Sequence, residues 1–329
     1  MKNDFGIFDI QNSSDFERKA LEIFQFQACN NPVYKRFIEL LGVSVHKVKS
    51  IANIPFLPIE FFKTYQVVSA PPPFDVLFKS SGTSGMNRSK HFVKSLYLYE
   101  QSFLRTFRYF YGDVKNLTIL ALLPSYLEQG QSSLVYMVNK LIEKTGQQNS
   151  GFYLHNYDDL ATKLQKLDAQ GEKILLIGVS YALLDLTEKY RFRLKNTIVM
   201  ETGGMKGRRK EMLREELHKH LIKAFGVPHI HSEYGMTELL TQSYSQGKGV
   251  FYSPPWQKIL IRDTEDPMSY LPEGKTGGIN VIDLANIYSC SFIATQDLGK
   301  ITSSSGSFEI LGRFDHSDVR GCNLLLFQN

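Results

Sequence analysis

Cysteine is scarce in this sequence, and the few cysteines do not form a metal or disulfide pattern. Cys29, Cys290 and Cys322 are the three cysteines among 329 residues, with no CxxC pair and no histidine at metal-ligand spacing. Long apolar runs are also missing, since the amino terminus lacks the apolar core of a signal peptide and no later stretch approaches the ~20 apolar residues of a membrane span. These absences predict a cytoplasmic protein without a membrane span.

Runs of one charge are missing as well. The formal net charge is +5, and basic residues are mixed with acidic ones along the chain. The segment of highest charge density, residues 206–223, also carries Leu213, Leu217 and Leu221 at helical spacing. Its basic residues are therefore interpreted as the solvated face of a helix, and no nucleic-acid partner is predicted.

Apolar and aromatic residues are abundant, and their pattern predicts an α/β fold. Hydrophobic residues make up 43% of the chain, with 23 Phe and 17 Tyr, which is enough for a large core. Apolar runs typical of buried strands alternate with helical patterns. Strands are expected at 117–123, 173–178 and 197–200, and helices at 96–111, 134–143, 158–169 and 181–188. This alternation favours multi-layered, mostly parallel sheets with helices on their faces.

The stretch Ser80-Ser81-Gly82-Thr83-Ser84-Gly85 has the composition of a phosphate-binding loop. Its two glycines allow backbone to approach an anion, and its hydroxyl and amide groups supply donors. The loop is not a Walker A sequence, because its glycines are too close together and no Lys-Ser/Thr pair follows. On its own it is more typical of an ordinary Ser/Gly turn between a strand and a helix, and only further motifs elsewhere in the chain favour a phosphate site.

Four motifs in sequence order resemble those of the adenylate-forming superfamily, which includes acyl-CoA synthetases and phenylacetate-CoA ligases. The SSGTSG loop is similar to its phosphate loop, with Arg88 where lysine is usual. The other three are Tyr234-Gly235-Met236-Thr237-Glu238, similar to YGxTE; Thr295-Gln296-Asp297-Leu298-Gly299, similar to TGDLG; and Gly312-Arg313, similar to the start of the hinge.

Within that superfamily, the proline-rich residues 54–63 and the ending from Gly312 to Leu326 resemble the LuxE type of acyl-protein synthetase, known from the fatty-acid reductase complex of luminous bacteria. The resemblance implies the large N-terminal domain of adenylate-forming enzymes. It divides the chain into an α/β body (1–227), a β-rich subdomain that completes the nucleotide site (228–311) and a hinge-like tail with Cys322 (312–329). Only seven residues follow Cys322, so the usual carboxyl-terminal lid is not expected.

The resemblance also assigns roles in binding ATP and Mg²⁺. Ser80 to Gly85 and Arg88 would hold the outgoing phosphates, Thr237 would contact the α-phosphate, and Glu238 would bind Mg²⁺. The negative charge on the transferring phosphates must be neutralised during the reaction. Considered singly, Glu238 would be an ordinary capping or surface carboxylate.

The remaining assigned residues concern the nucleoside. Tyr234, followed by Gly235 of the same motif, would stack on adenine, and Gly203 and Gly204 would let the base lie against backbone. Asp297 and Arg313 would bond the ribose hydroxyls. Asp297 alone would also be read as a capping or surface carboxylate.

Cys322 matches the cysteine that takes the acyl group as a thioester in the resembled family. A thiolate is the strongest common side-chain nucleophile near neutral pH, and Arg320 nearby would favour it. Cys29 and Cys290 are expected to be small buried hydrophobic residues.

The predicted function is therefore ATP-dependent activation of a carboxylic acid, expected to be a fatty acid, followed by transfer to Cys322 and delivery to an acyl-CoA reductase-like or acyltransferase subunit. Two alternatives remain open. One is an AMP-forming acyl- or aryl-CoA ligase, and the other is a lidless, non-catalytic subunit that binds nucleotide or acyl groups.

Overall fold

A computed structural model describes residues 5–81, 88–123, 131–204, 209 and 212–314. Its α-helices are α1 (Ser13–Asn30), α2 (Pro32–Leu40), α3 (Phe61–Thr64), α4 (Leu96–Tyr111), α5 (Ser133–Thr145), α6 (Tyr157–Ala169), α7 (Ser180–Lys189) and α8 (Arg214–Phe225). Its strands are β1 (Leu57–Pro58), β2 (Val76–Lys79), β3 (Lys90–Val93), β4 (Thr118–Leu122), β5 (Gly151–Tyr153), β6 (Ile174–Val179), β7 (Thr197–Thr202), β8 (His231–Tyr234), β9 (Ser243–Ser245), β10 (Val250–Phe251), β11 (Gln257–Arg262), β12 (Gly277–Asp283), β13 (Phe292–Ile301) and β14 (Phe308–Arg313). Short 3₁₀ helices lie at Ile7–Asp9, Val45–Lys47, Ile51–Asn53, Val114–Asn116 and Leu284–Asn286.

The first sheet has the strand order β5-β4-β6-β7-β8-β9 and is parallel except for its last strand. Every residue of β4 and β6 is buried, because helices cover a parallel sheet on both faces. The continuous apolar runs that predicted these strands are explained by this burial. The α/β fold class is confirmed.

Local capping explains where the helices of this layer begin. The Ser95 hydroxyl accepts a hydrogen bond from the Leu98 amide at the start of α4, and Ser132 does the same for Val135 at the start of α5. Gly112 follows the last residue of α4 with a positive φ of 79°, a conformation that favours glycine. The predicted helix over 96–111 is thereby confirmed at both ends.

The second sheet is antiparallel along its main path, β10-β14-β13-β12-β11. The proline-rich residues 54–63 include β1, which pairs in parallel with β13. Leu57 lies opposite Ile293 in this pair. Prolines suit such a short edge strand because they cannot donate to a ladder. The chain is therefore extended at this point.

The chain passes from the first sheet to the second between β9 and β10. Residues after 228 are rich in strands as expected, but β8 and β9 extend the parallel sheet, and the antiparallel sheet begins at Val250. Arg214 joins the two sheets, since its Nη1 donates to the Ile310 carbonyl (3.1 Å) and its Nε lies 3.4 Å from Glu201 Oε1.

In the described ranges, no helix has both the length and the apolar character needed to cross a membrane.

Candidate functional site

Two of the predicted binding segments lie together at the carboxyl edge of the parallel sheet. Thr202, the last residue of β7, is paired with Glu233 of β8. The exposed Gly203 and Gly204 therefore leave the sheet beside Tyr234 and Gly235. This edge is where open α/β sheets bind their ligands.

Tyr234 connects this edge to the second sheet. Its buried hydroxyl donates to Asp297 Oδ2 on β13 at 2.8 Å, and Arg313 Nε on β14 donates to Asp297 Oδ1 at 3.0 Å. Asp297 is buried, whereas 77% of the Arg313 side chain is exposed. Three of the residues that the resemblance assigns to the nucleoside thus form one hydrogen-bonded chain with a cation at its open end.

The candidate phosphate loop is closed at its base by two serines. The Ser80 amide donates to the Ser89 carbonyl at 3.1 Å, and the Ser89 amide donates to Ser80 Oγ at 3.0 Å. The loop joins the antiparallel pair β2 and β3, with Ser81 exposed and Arg88 half-buried. The four residues between them that were assigned to the phosphates, Gly82, Thr83, Ser84 and Gly85, lie outside the described residues.

Glu238 lies against the base of this loop. Its side chain is buried, and burial raises its pKa, while a hydrogen bond from the Ser89 side chain and the charge of Arg313 act in the opposite direction. Burial of a carboxylate without a bound cation is costly, which fits a site that receives one. The described residues contain no cluster of three or more His, Cys, Asp or Glu side chains able to hold a metal. Mg²⁺ at a nucleotide fits this arrangement, because it normally takes one or two carboxylates together with substrate phosphates and water.

His91 fixes the main chain of Thr237, which is itself half-buried. His91 is 1% exposed, and its Nδ1 lies 2.7 Å from the Thr237 carbonyl oxygen. Since a carbonyl can only accept, Nδ1 carries the proton. Burial lowers the pKa of His91 to about 4, so the ring is neutral near pH 7. The strand that follows the phosphate loop is therefore hydrogen-bonded directly to the Thr-Glu segment.

Two further buried side chains hold the same segment from the β12 side. Asp283 accepts hydrogen bonds from the Leu240 amide (2.7 Å) and from the Thr241 amide and hydroxyl (3.0 and 2.6 Å). Asn286 Nδ2 donates to the Glu238 carbonyl at 2.6 Å. Gln27 of α1 supports Asn286 in turn, donating to its carbonyl at 2.9 Å. The backbone around Thr237 and Glu238 is thus held on three sides before any ligand binds.

The sequence motifs did not identify these supporting residues. His91, Ser89, Asp283 and Asn286 lie outside all four motifs. Alternation along β3 places His91 on the buried side, but its partner is 146 residues away. Only an observed or predicted tertiary contact identifies such a pair.

The cysteines differ in their surroundings. Cys290 is buried as expected, and burial raises its pKa to about 12. Cys29 is exposed, contrary to expectation, because it lies outside the buried stripe of α1 that contains Gln27 and Ala28. Cys322 lies outside the described residues.

Comparison with known proteins gives a family and a fold. The model of the family described as acyl-protein synthetase, LuxE, matches residues 133–329. No curated protein matches the chain. The ATP-bound structure of MatB from Rhodopseudomonas palustris is similar with a TM-score of 0.54 and 19% identity, over 72% of this chain and 47% of MatB.

An open conformation of 2-hydroxyisobutyryl-CoA ligase, solved with 2-HIB-AMP and CoA, is similar with a TM-score of 0.63 and 16% identity. That match covers 92% of this chain and 70% of the ligase. The chain therefore spans about half of MatB and a little more than two thirds of the second ligase. At these identities the structural likeness establishes the fold, which is that of the N-terminal domain of adenylate-forming ligases.

Proposed function

Because the chain belongs to the acyl-protein synthetase family, LuxE, we propose that it activates a carboxylic acid with ATP and transfers the acyl group to its own Cys322. The single observation that carries the adenylation step is the convergence at Glu238. The Ser89 side chain at the base of the candidate phosphate loop contacts its carboxylate, and Arg313 of the Asp297 pair acts on its pKa. Segments expected to bind phosphate, metal and ribose therefore meet in one place.

In the proposed adenylation step, a carboxylate oxygen of the acid attacks the α-phosphorus of ATP and pyrophosphate leaves with the bonding electron pair. Thr237 lies on the segment held by His91 and Asn286, so its hydroxyl and amide would meet the α-phosphate without reorganisation. Arg88 and the residues from Ser80 to Gly85 would hold the leaving pyrophosphate. Mg²⁺ held by Glu238 and the phosphates would supply charge neutralisation.

The nucleoside would be held by the edges of the two sheets. We assign adenine to Tyr234, Gly235, Gly203 and Gly204, and the ribose hydroxyls to Asp297 and Arg313. The exposed guanidinium of Arg313, oriented by Asp297, is available as a donor to a hydroxyl oxygen. On this assignment residues 1–227 supply the α/β body, residues 228–311 complete the nucleotide site, and residues 312–329 carry the acceptor thiol.

In the proposed transfer step, the Cys322 thiolate attacks the carbonyl carbon of the acyl-adenylate and AMP leaves. The product is a thioester, which a reductase or acyltransferase subunit would then consume. Family membership supports this step and favours a fatty acid as substrate. A CoA ligase activity is the second candidate, favoured by the structural likeness to 2-hydroxyisobutyryl-CoA ligase.

ATP–pyrophosphate exchange with a panel of fatty and aromatic acids tests the first step. We expect exchange that depends on ATP, Mg²⁺ and an acid. Tight ATP binding without exchange for any acid, with or without a candidate reductase subunit, would instead indicate a non-catalytic binding subunit. Formation of acyl-CoA from free coenzyme A by a Cys322→Ala protein would favour the ligase reading.

A further inference from the structure

The pairing of β12 with β13 is interrupted beside Asp297. The register pairs on either side of the interruption are Gly278 with Leu298 and Asn280 with Ala294. Residues 295–297 of β13 therefore face the single residue Ile279 on β12 and form a bulge. A bulge re-aims side chains and leaves main-chain groups outside the ladder, so its carbonyl oxygens need other donors.

Arg262 of β11 supplies these donors. Its Nη1 donates to the Ile279 carbonyl and to Asn280 Oδ1, both at 2.9 Å, and its Nη2 donates to the Thr295 carbonyl at 2.6 Å. The guanidinium is planar with its donors in a fixed fork, so three oxygens determine its orientation. This one side chain thereby connects β11, β12 and the bulge of β13.

Gly278 leaves the space in which the guanidinium lies. Gly278 is opposite Arg262 in the register of β11 and β12. A Cβ atom at position 278 would lie 2.4 Å from Arg262 Cζ and 2.7 Å from each of its terminal nitrogens. The guanidinium therefore lies directly over the main chain of Gly278, and a side chain at this position would displace it.

The position of Thr295 is passed on to Asp297. The Asp297 amide donates to Thr295 Oγ1 at 3.1 Å, and the same hydroxyl donates to the Ile279 carbonyl at 2.9 Å. Burial lowers the pKa of Arg262, while the negative charges of Glu60 and Asp297 act in the opposite direction. Arg262 thus holds the main chain from which the Asp297 carboxylate extends.

Arg262 also contacts the residue that follows Arg313. The Phe314 amide donates to the Gln296 carbonyl at 2.8 Å, which continues the pairing of β14 with β13 beyond Arg313. Arg262 Cζ lies over the Phe314 ring, 5.4 Å from its centroid, at the distance of a cation–π contact. Arg262 is therefore connected to both sides of the Asp297–Arg313 pair.

We propose that Arg262 is a positioning residue of the ribose subsite, which orients Asp297 through the bulge and Arg313 through Phe314. The inference rests on the function proposed above, which assigns the ribose hydroxyls to Asp297 and Arg313. A pair that is already oriented binds these hydroxyls without the cost of ordering two side chains. Loss of Arg262 should therefore weaken binding only of a nucleotide that carries the hydroxyls.

The experiment compares ATP with dideoxyadenosine triphosphate, which lacks both ribose hydroxyls, in calorimetric titrations of the full chain. We expect the wild-type protein to prefer ATP by about tenfold or more, since a hydrogen bond to a charged group contributes about this factor. Arg262→Gln should lose most of this preference. Its affinity for ATP should fall by about tenfold, and its affinity for the dideoxynucleotide should stay within about twofold of wild-type.

Gly278→Ala gives a second test that keeps Arg262 in the chain. The added Cβ would meet only the end of the Arg262 side chain, so it displaces the guanidinium and leaves the strands in place. We expect the same selective loss of ATP affinity, which keeps the inference testable if Arg262→Gln does not fold. Lys258→Gln is the matched control, because Lys258 is also on β11 and its Nζ lies over the Phe16 ring at 5.8 Å. It should retain the wild-type preference for ATP.

The possible results separate the inference from the proposed function. An unchanged preference for ATP in Arg262→Gln and Gly278→Ala overturns the role of Arg262, while ATP binding by the wild-type protein still supports the nucleotide site. Equal losses of affinity for both nucleotides in these variants also overturn it, since they indicate a general structural role. Absence of ATP binding by the wild-type protein overturns the proposed function and this inference with it.

Discussion

Arg313 and Asp297 face one another across β14 and β13, with Arg313 Nε 3.0 Å from Asp297 Oδ1. The same carboxylate accepts the Tyr234 hydroxyl through its other oxygen. A carboxylate held on both oxygens is oriented before a ligand arrives, which reduces the ordering that binding requires. This relationship leads to the first two predictions.

Asp297→Asn is expected to weaken ATP binding by about 10- to 100-fold, since hydrogen bonds to a charged group contribute about 1.5–3 kcal/mol. Titration calorimetry with ATP measures this, and circular dichroism checks the fold. Glu309→Gln is the matched control, because Glu309 forms an ion pair with Lys300 on the same two strands. Equal losses of ATP affinity in both variants would show that the pairing of β13 with β14, rather than Asp297 itself, supports ATP binding.

Tyr234→Phe is expected to cause a smaller loss, about fivefold, because it removes one hydrogen bond and keeps the ring. Tyr234→Leu should weaken ATP binding further, since it also removes the aromatic surface proposed to stack on adenine. The comparison is made by the same calorimetric titration. Equal affinities for the Phe and Leu variants would contradict the stacking role.

Glu238→Gln is expected to raise the Mg²⁺ concentration for half-maximal exchange by about tenfold or more, because a neutral amide is a weaker ligand for a hard cation. ATP binding measured without Mg²⁺ should change little. ATP–pyrophosphate exchange rates measured across a Mg²⁺ titration give this half-maximal concentration. An unchanged Mg²⁺ requirement would remove Glu238 from the metal site.

His91 is expected to make the protein sensitive to mild acid. Its pKa is lowered to about 4 by burial, below an unfolded value near 6.5, so the unfolded chain takes up a proton that the folded chain resists. Stability is therefore complete above about pH 6.5 and falls by about 3 kcal/mol as pH approaches 4. His91→Gln retains a donor for the Thr237 carbonyl and should lose less stability over this window.

Urea unfolding of the wild-type and His91→Gln proteins at pH 7 and pH 4.5 measures how much free energy of unfolding each loses on acidification. His220→Gln is the control, since His220 is on the exposed face of α8 with 60% of its side chain accessible. Wild-type and His91→Gln proteins that lose the same free energy of unfolding on acidification would contradict the buried neutral histidine.

Cys322→Ser is expected to abolish capture of a labelled acyl group as a hydroxylamine-sensitive thioester, while ATP–pyrophosphate exchange continues. Thioester formation needs a thiol, whereas the exchange reaction ends at the adenylate. Cys29→Ser, at an exposed cysteine on α1, is the control and should capture acyl group normally. Capture by Cys322→Ser at the same stoichiometry would locate the acceptor elsewhere.

Local signals in the sequence were sufficient for much of the fold. The serine before α4 and the glycine after it determine the ends of that helix, and the apolar runs of β4 and β6 identify buried parallel strands. The order of the four motifs indicates the adenylate-forming superfamily, and the proline-rich residues 54–63 together with the ending from Gly312 to Leu326 indicate the family that the comparison confirms. Each of these signals extends over only a few neighbouring residues, which is why it can be read without a structure.

The tertiary structure decided which polar residues support the candidate site and what charge they carry. His91, Asp283 and Asn286 hold the Thr-Glu segment through contacts between distant parts of the chain, and no local pattern encodes such pairs. Glu201 and Glu233 look alike in the sequence, each near the end of a strand. Register directs Glu201 to Arg214 and His218 of α8 and Glu233 to Thr202 and the tyrosines, so the pKa of Glu201 is lowered while burial raises the pKa of Glu233.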